Sequence, residues 1–193
     1  MTRTTAAGAA PRRNSLRPWM WGGAACLLLL PALAMQLGAP GVVWTAEDFV
    51  AMGLMLAVAC GLYELGAWLD GGFAFRAGFG LAVLTAFLTV WVNVAVGMLG
   101  DEGNPANMMF AGVLATAALG AILGRGRAPG MSWAMFAAAC AQLMAAGAGL
   151  AMGFAALEVS LTACFALPWL AAGLLFLWAK PAAQSASGAP SGK

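Results

Sequence analysis

Six long apolar runs alternate along the chain with short segments rich in polar residues, glycine or proline. Each run is long enough to cross the roughly 30 Å hydrocarbon core of a bilayer as a helix, and none shows the period-two alternation of a membrane strand. The pattern predicts an all-α, polytopic transmembrane helix bundle. We place its six spans at about residues 18–37, 46–69, 75–99, 105–124, 132–154 and 157–178.

The segments outside these spans are short. Residues 1–17 form a basic N-terminal segment that precedes the transmembrane domain of residues 18–179. The last segment, 180–193, consists mainly of alanine, serine, glycine and proline, a composition typical of a disordered tail.

Composition supports lipid as the main solvent of this chain. Of its 193 residues 63% are hydrophobic and 8% are charged, whereas about 25% are charged in an average soluble domain. The mean hydropathy is +0.87 over the full length, so no soluble domain dilutes the apolar runs. So little charge also excludes nucleic-acid binding.

Charge fixes the expected orientation. With the N-terminus inside, all nine basic residues fall in inner segments: Arg3, Arg12, Arg13, Arg17, Arg76, Arg125, Arg127, Lys180 and Lys193. Five of the seven acidic residues then lie outside. By the positive-inside rule, both termini are cytoplasmic. Because alanine and glycine dominate the composition and most basic residues are arginine, we expect a multi-pass protein of a bacterial inner membrane.

The first span has a second interpretation. Arg12-Arg13 loosely resembles a twin-arginine signal, and Ala32-Leu33-Ala34 resembles a cleavage site. Cleavage as a signal peptide therefore stays open beside the uncleaved anchor.

Polar residues concentrate between the third and fourth spans. Asn93 stands in an apolar helix and continues a row of threonines at four-residue spacing, Thr85 and Thr89, which are expected to bond to their own backbone. Asn104 and Pro105 have the chemistry of a helix N-cap and first helical residue. The letters Asn-Pro-Ala also occur in aquaporins, but those proteins need two copies and this chain has one.

The outer acids suggest a binding site. Thr45 and Asp48 fit a capping box, and acids in a first turn suit the helix dipole. Carboxylates and amides are also the hard oxygen ligands that small cations prefer. We therefore hypothesise a periplasmic binding site formed by Asn93, Asp101, Glu102, Asn104, Asn107, Glu47 and Asp48.

Glu64 is the acid that lies inside a span, near its inner end. It shares a helix face with Gly53 and Ala57, small residues that recur every four positions together with Gly61 and favour close helix packing. We hypothesise an ion pair between Glu64 and Arg76. Such small-residue faces also suit partner membrane helices or a homo-oligomer.

The sequence contains few residues or motifs that would indicate catalysis or metal binding. The chain has no histidine, its four cysteines form no CxxC pair, and it lacks nucleophile–base and phosphate-loop motifs. We assign no catalytic residue, cofactor or metal site, and the sequence favours a non-enzyme.

One family resemblance covers about residues 44–110. Trp44 with Asp48-Phe49, Tyr63-Glu64, Trp91-Val92-Asn93-Val94-Ala95-Val96-Gly97 and Glu102-Gly103-Asn104-Pro105-Ala106-Asn107 resemble a pattern in uncharacterised bacterial inner-membrane proteins. The resemblance implies no activity. From the residues we expect binding or passage of a small solute or cation. The alternatives are a non-transporting subunit that packs against partner helices and a carboxylate-based membrane enzyme.

Overall fold

The computed structural model describes residues 16–69 and 72–179, and over these residues it consists of helices and their connections, without strands. Seven α-helices follow one another: α1 (Arg17–Gln36), α2 (Ala46–Leu69), α3 (Phe73–Ala95), α4 (Met109–Leu123), α5 (Ala128–Ala151), α6 (Ala156–Cys164) and α7 (Ala166–Trp178). A 3₁₀ turn, Pro105–Met108, leads directly into α4.

Within the described ranges, six helical units are long and apolar enough to cross a membrane. The 3₁₀ turn and α4 together form the fourth unit, and α6 and α7 form the sixth. The predicted all-α bundle of six spans is therefore confirmed, and the chain is a multi-pass integral membrane protein.

The sixth span is interrupted near the proline that predicts a kink. Pro168 has no N–H to offer the carbonyl of Cys164 four residues earlier. The helix is interrupted at Phe165, whose N–H bonds to the Thr162 carbonyl at 3.2 Å instead. The break separates α6 from α7.

The core lies among the later helices. α5 packs against α4 and α7, and α7 packs against α3. The largest fully buried side chains of this core are Trp169, Phe75, Phe110, Phe176 and Leu99. α2 contacts α3, and α1 contacts α2, so the first two helices lie at the edge of the bundle.

Some of the small-residue helix faces pack against another helix, and others are exposed. Gly120 lies so close to α5 that a Cβ there would come within 2.6 Å of Ala134 Cβ, and Gly149 lies against Leu99. On α2, by contrast, Ala57 and Gly61 are exposed. The spacing of small residues therefore indicates a face suited to packing, but not whether a helix of the same chain occupies it.

Two parts of the predicted organisation lie outside the described residues. These are most of the basic N-terminal segment, residues 1–15, and the tail, residues 180–193.

Candidate functional site

The connection between α3 and α4 contains most of the residues predicted to form a site. The third span was expected to reach Leu99, but α3 ends at Ala95. Gly97 and Gly100 then take positive φ angles of 77° and 68°. A Cβ on Gly97 would lie 2.5 Å from the Asp101 carbonyl oxygen, so this close turn requires glycine. The backbone therefore leaves the helix four residues earlier than expected.

Asn107 holds this connection in place. Its Oδ1 accepts hydrogen bonds from the backbone N–H groups of Met98 and Leu99, each at 3.0 Å. Its Nδ2 donates to the Asp101 carbonyl at 2.7 Å. Because the amide bonds to three backbone groups of one loop, Asn107 acts as a scaffold residue.

Asn104 and Glu158 complete the support of the loop. Asn104 Oδ1 accepts from the N–H of Ala106 at 3.0 Å, with Pro105 at the start of the turn, so the predicted cap is confirmed. Glu158, at the start of α6, accepts from the Gly100 N–H at 3.1 Å through Oε2. This contact joins the connection to a residue 58 positions away, and the sequence did not predict it.

The remaining predicted carboxylates divide into two places. Asp48 Oδ2 accepts from the N–H of Thr45 at 2.7 Å and from its hydroxyl at 2.9 Å, which confirms the capping box. Glu47 lies beside it in the first turn of α2. Asp101 and Glu102 are exposed in the α3–α4 connection, and no hydrogen bond of the described residues joins them to the α2 pair. Over the same residues, no group of three or more Cys, Asp and Glu side chains is arranged to hold a metal.

The polar row on α3 bonds to its own helix. Thr85 donates to the Leu81 carbonyl at 2.7 Å and Thr89 to the Thr85 carbonyl at 2.8 Å, as predicted. Asn93 Nδ2 continues the series by donating to the Thr89 carbonyl at 2.7 Å. Asn93 Oδ1 is buried and has no hydrogen-bond partner. Asn93 therefore bonds through the nitrogen of its amide and not through the oxygen.

Glu64 contacts two residues of α1, and its ion pair with Arg76 stays a prediction. Its Oε1 lies 3.0 Å from Arg17 Nε and accepts from Trp21 Nε1 at 2.6 Å. Both partners belong to the first two turns of α1. The reason is topological: α1 begins at the end of the bundle where α2 finishes, so its basic start reaches Glu64. Glu64 therefore ties α1 to α2.

A second polar connection lies inside the bundle, and the sequence analysis did not predict it. Thr162 Oγ1 donates to the Met98 carbonyl at 3.0 Å, and Gln142 Nε2 donates to the Thr162 carbonyl at 2.9 Å. Both side chains are fully buried. They connect the loop after α3, the middle of α5 and the last turn of α6, just before the break in the sixth span.

Replacing Thr162 with valine is expected to lower the free energy of unfolding by about 1–3 kcal/mol. Valine keeps the volume but leaves the buried Met98 carbonyl without its hydroxyl donor. Thr116→Val is the matched control, since Thr116 donates only to Gly112 four residues earlier on its own helix. Thermal unfolding of both variants in one detergent measures the difference. A Thr162→Val midpoint equal to that of Thr116→Val would contradict the structural role.

An apolar groove runs between α2 and α4, with α3 along its base; we call it the α2–α4 groove. Its volume is about 710 Å³. α2 contributes Leu54, Met55, Val58, Ala59, Leu62, Leu65 and Leu69, α3 contributes Phe79, Ala82, Val83, Ala86, Phe87 and Val90, and α4 contributes Leu114, Ala117, Ala118, Ala121 and Ile122. Met131, Met135 and Trp169 close it on the core side.

One end of the α2–α4 groove carries a charge. Arg125 and Gly126, in the loop after α4, line this end. Gly126 lies against Leu69 at the end of α2: a Cβ there would be 3.0 Å from Leu69 Cδ1. The sequence predicted Arg125 only as a charge of an inner loop, because nothing in its local sequence reveals a groove formed by helices from distant parts of the chain.

Comparison with protein-family models, with curated proteins and with solved structures finds no match. The resemblance to uncharacterised inner-membrane proteins therefore stays a prediction. Function has to be argued from the geometry of the site.

Proposed function

We propose that this membrane protein binds the hydrophobic part of an amphiphilic membrane molecule in the α2–α4 groove. The observation that carries the proposal is the groove itself, a concave space of about 710 Å³ lined almost entirely by apolar side chains. That volume falls within the roughly 300–1,000 Å³ typical of small-molecule and cofactor sites.

The groove is elongated along the membrane-spanning direction. The residues that α2 contributes, from Leu54 to Leu69, recur every one to four positions and lie on one face of the helix. At 1.5 Å per residue, this stretch is about 23 Å long. An extended acyl or isoprenoid chain that enters one leaflet has a matching length and apolar character.

A partner helix fits the groove less well than a chain. A helix with its side chains is about 10 Å wide along its whole length. Such a helix would lie across the rim of the groove without filling it. An alkyl chain, in contrast, can contact both walls and the base at van der Waals distance.

The periplasmic solute or cation site predicted from the sequence receives less support from the geometry. Asn104, Asn107 and Asp48 are engaged in bonds that build the loop and the helix start. The exposed carboxylates of Glu47, Asp101 and Glu102 and the buried Oδ1 of Asn93 are the groups left to favour it. The carboxylate-based enzyme would depend on such exposed acids.

Filling the groove from one wall tests the proposal. Ala118→Phe places a ring at the groove from an exposed position of α4. Ala115→Phe is the matched control: Ala115 is also exposed, lies about one turn away on α4 and does not line the groove. Purified protein is titrated with phosphatidylglycerol and with diacylglycerol carrying the same acyl chains, and bound lipid is counted by native mass spectrometry. We expect Ala118→Phe to weaken binding of both lipids about tenfold or more, since steric overlap with a bound chain costs about 1–3 kcal/mol.

Three results would count against lipid binding in the groove. The first is that neither lipid binds saturably to the unmodified protein, and the second is that the two variants have equal lipid affinities. The third is a stoichiometric second polypeptide, or a second copy of this chain, that Ala118→Phe displaces while lipid binding is unchanged. The last result would favour the alternative of a packing subunit.

A further inference from the structure

We infer that the ligand of the α2–α4 groove carries a phosphate headgroup, and that Arg125 binds it. This inference rests on the proposed function, because it names the class of amphiphile that the groove accepts. The occupant is therefore an anionic phospholipid or a lipid phosphate, with its chains in the groove and its headgroup at the loop between α4 and α5.

The position of Arg125 suits a headgroup. α4 ends at Leu123 with Gly124 as its C-cap, so Arg125 lies just beyond the apolar part of the span. The headgroup region of a bilayer begins at that level. On the same side of the groove, Gly126 packs against Leu69 and joins the loop to the end of α2. A chain lying in the groove would therefore bring its polar end to the guanidinium.

The guanidinium is available for this contact. The ion pair that the described residues form joins Arg17 to Glu64, and Arg125 takes no part in a salt bridge or side-chain hydrogen bond there. Arg125 lines a groove whose other lining side chains are uncharged, so its charge faces no acid across that space. Planar guanidinium groups bind phosphate oxygens through paired hydrogen bonds.

The backbone at Arg125 adds to the argument. Its φ of 54° lies in the left-handed region, and it is the non-glycine residue with a positive φ among residues 16–69 and 72–179. Glycine takes this conformation without steric cost, and glycines stand on both sides of Arg125. An arginine in a conformation that suits glycine indicates a functional role for its side chain. The groove is the feature that this side chain lines.

Arg127 provides a matched control. It belongs to the same loop, is exposed and carries the same charge, but it does not line the groove. Replacing either arginine with glutamine removes one positive charge from the same end of the bundle. A general attraction of the basic end for anionic lipid would therefore respond to both changes alike.

The test compares two lipids in three proteins. Native mass spectrometry measures the affinity of the unmodified protein, Arg125→Gln and Arg127→Gln for phosphatidylglycerol and for diacylglycerol with the same acyl chains. The unmodified protein and Arg127→Gln should prefer phosphatidylglycerol about tenfold or more, as expected for a charge-assisted hydrogen-bonded pair. Arg125→Gln should reduce the affinity for phosphatidylglycerol to that for diacylglycerol and leave diacylglycerol binding unchanged. Glycerol phosphate, which lacks chains, should not compete.

The outcomes separate the two proposals. Equal affinities of the unmodified protein for both lipids, with binding still sensitive to Ala118→Phe, would overturn the role of Arg125 and leave the groove as a chain-binding site. A preference that survives in Arg125→Gln, or that Arg127→Gln reduces equally, would also overturn it. Competition by glycerol phosphate would assign the arginine to a soluble phosphate. Failure of both lipids to bind would sink the proposed function itself.

Discussion

Asn107→Ala is expected to lower the free energy of unfolding by about 2–4 kcal/mol. The substitution removes the acceptor of two backbone N–H groups, at Met98 and Leu99, and the donor to the Asp101 carbonyl. Met98 and Leu99 are buried, and Leu99 is fully enclosed, so water cannot readily replace the amide. Each buried backbone group left without a partner costs about 1–3 kcal/mol.

Asn104→Ala is the control for this prediction. It lies three residues earlier, and in the structure its side chain makes one hydrogen bond, from the Ala106 N–H. Loss of an N-cap of this kind costs about 1 kcal/mol. Thermal unfolding in detergent ranks the two variants, and hydrogen exchange at Met98 and Leu99 reports on the loop itself. If both variants unfolded at the same temperature and Leu99 exchanged no faster in Asn107→Ala, the scaffold role of Asn107 would be refuted.

The fold could be predicted because its signals are local. Each span is an uninterrupted apolar run, and the distribution of charge among the connections agrees with the number of spans. The capping box at Thr45 and the cap at Asn104 each involve residues no more than three positions apart, so both can be predicted from the local sequence. The interruption near Pro168 has the same local origin.

The contacts that organise the sites could not be predicted because they join distant parts of the chain. Thr162 reaches Met98 across 64 positions, and Glu64 reaches Trp21 across 43. Membrane helices add a difficulty: they are apolar on all sides, so hydrophobic periodicity does not show which face packs and which faces lipid. For this reason the sequence revealed neither the α2–α4 groove nor the role of Arg125.

Asn93 and Gly97 show how a regular spacing can mislead. Both continue the four-residue row that begins at Thr85, and both lie in the span predicted to extend to Leu99. Gly97 instead ends the helical conformation, since its positive φ allows the chain to turn toward Asp101. Asn93 lies in the last turn of α3, where its Nδ2 bonds to Thr89. Of two residues at the same spacing, Asn93 thus belongs to the helix and Gly97 lies beyond its end.

Gly130→Ala is expected to have the second large effect on stability, a loss of about 3 kcal/mol. Gly130 in the first turn of α5 and Gly124 after α4 approach each other through their backbones, so that a Cβ on Gly130 would overlap Gly124 Cα. A side chain can rotate away from such an overlap, but backbone atoms move only with their helices. Overpacking of a well-packed contact typically costs about 1–3 kcal/mol, and this backbone contact lies at the upper limit.

Gly112→Ala is the matched control, because Gly112 lies on α4 and a Cβ there meets no atom within 4 Å. Replacing a helical glycine with alanine at such an open position stabilises a helix by up to about 1 kcal/mol. Thermal unfolding should therefore shift in opposite directions for the two variants. Arg125 lies in the loop that these two glycines, Gly124 and Gly130, bracket, so Gly130→Ala should also reduce the preference for phosphatidylglycerol over diacylglycerol. Gly112→Ala should preserve that preference. Equal unfolding temperatures for the two alanine variants would mean that α4 and α5 can separate at this end without cost, which the close approach of the two glycines argues against.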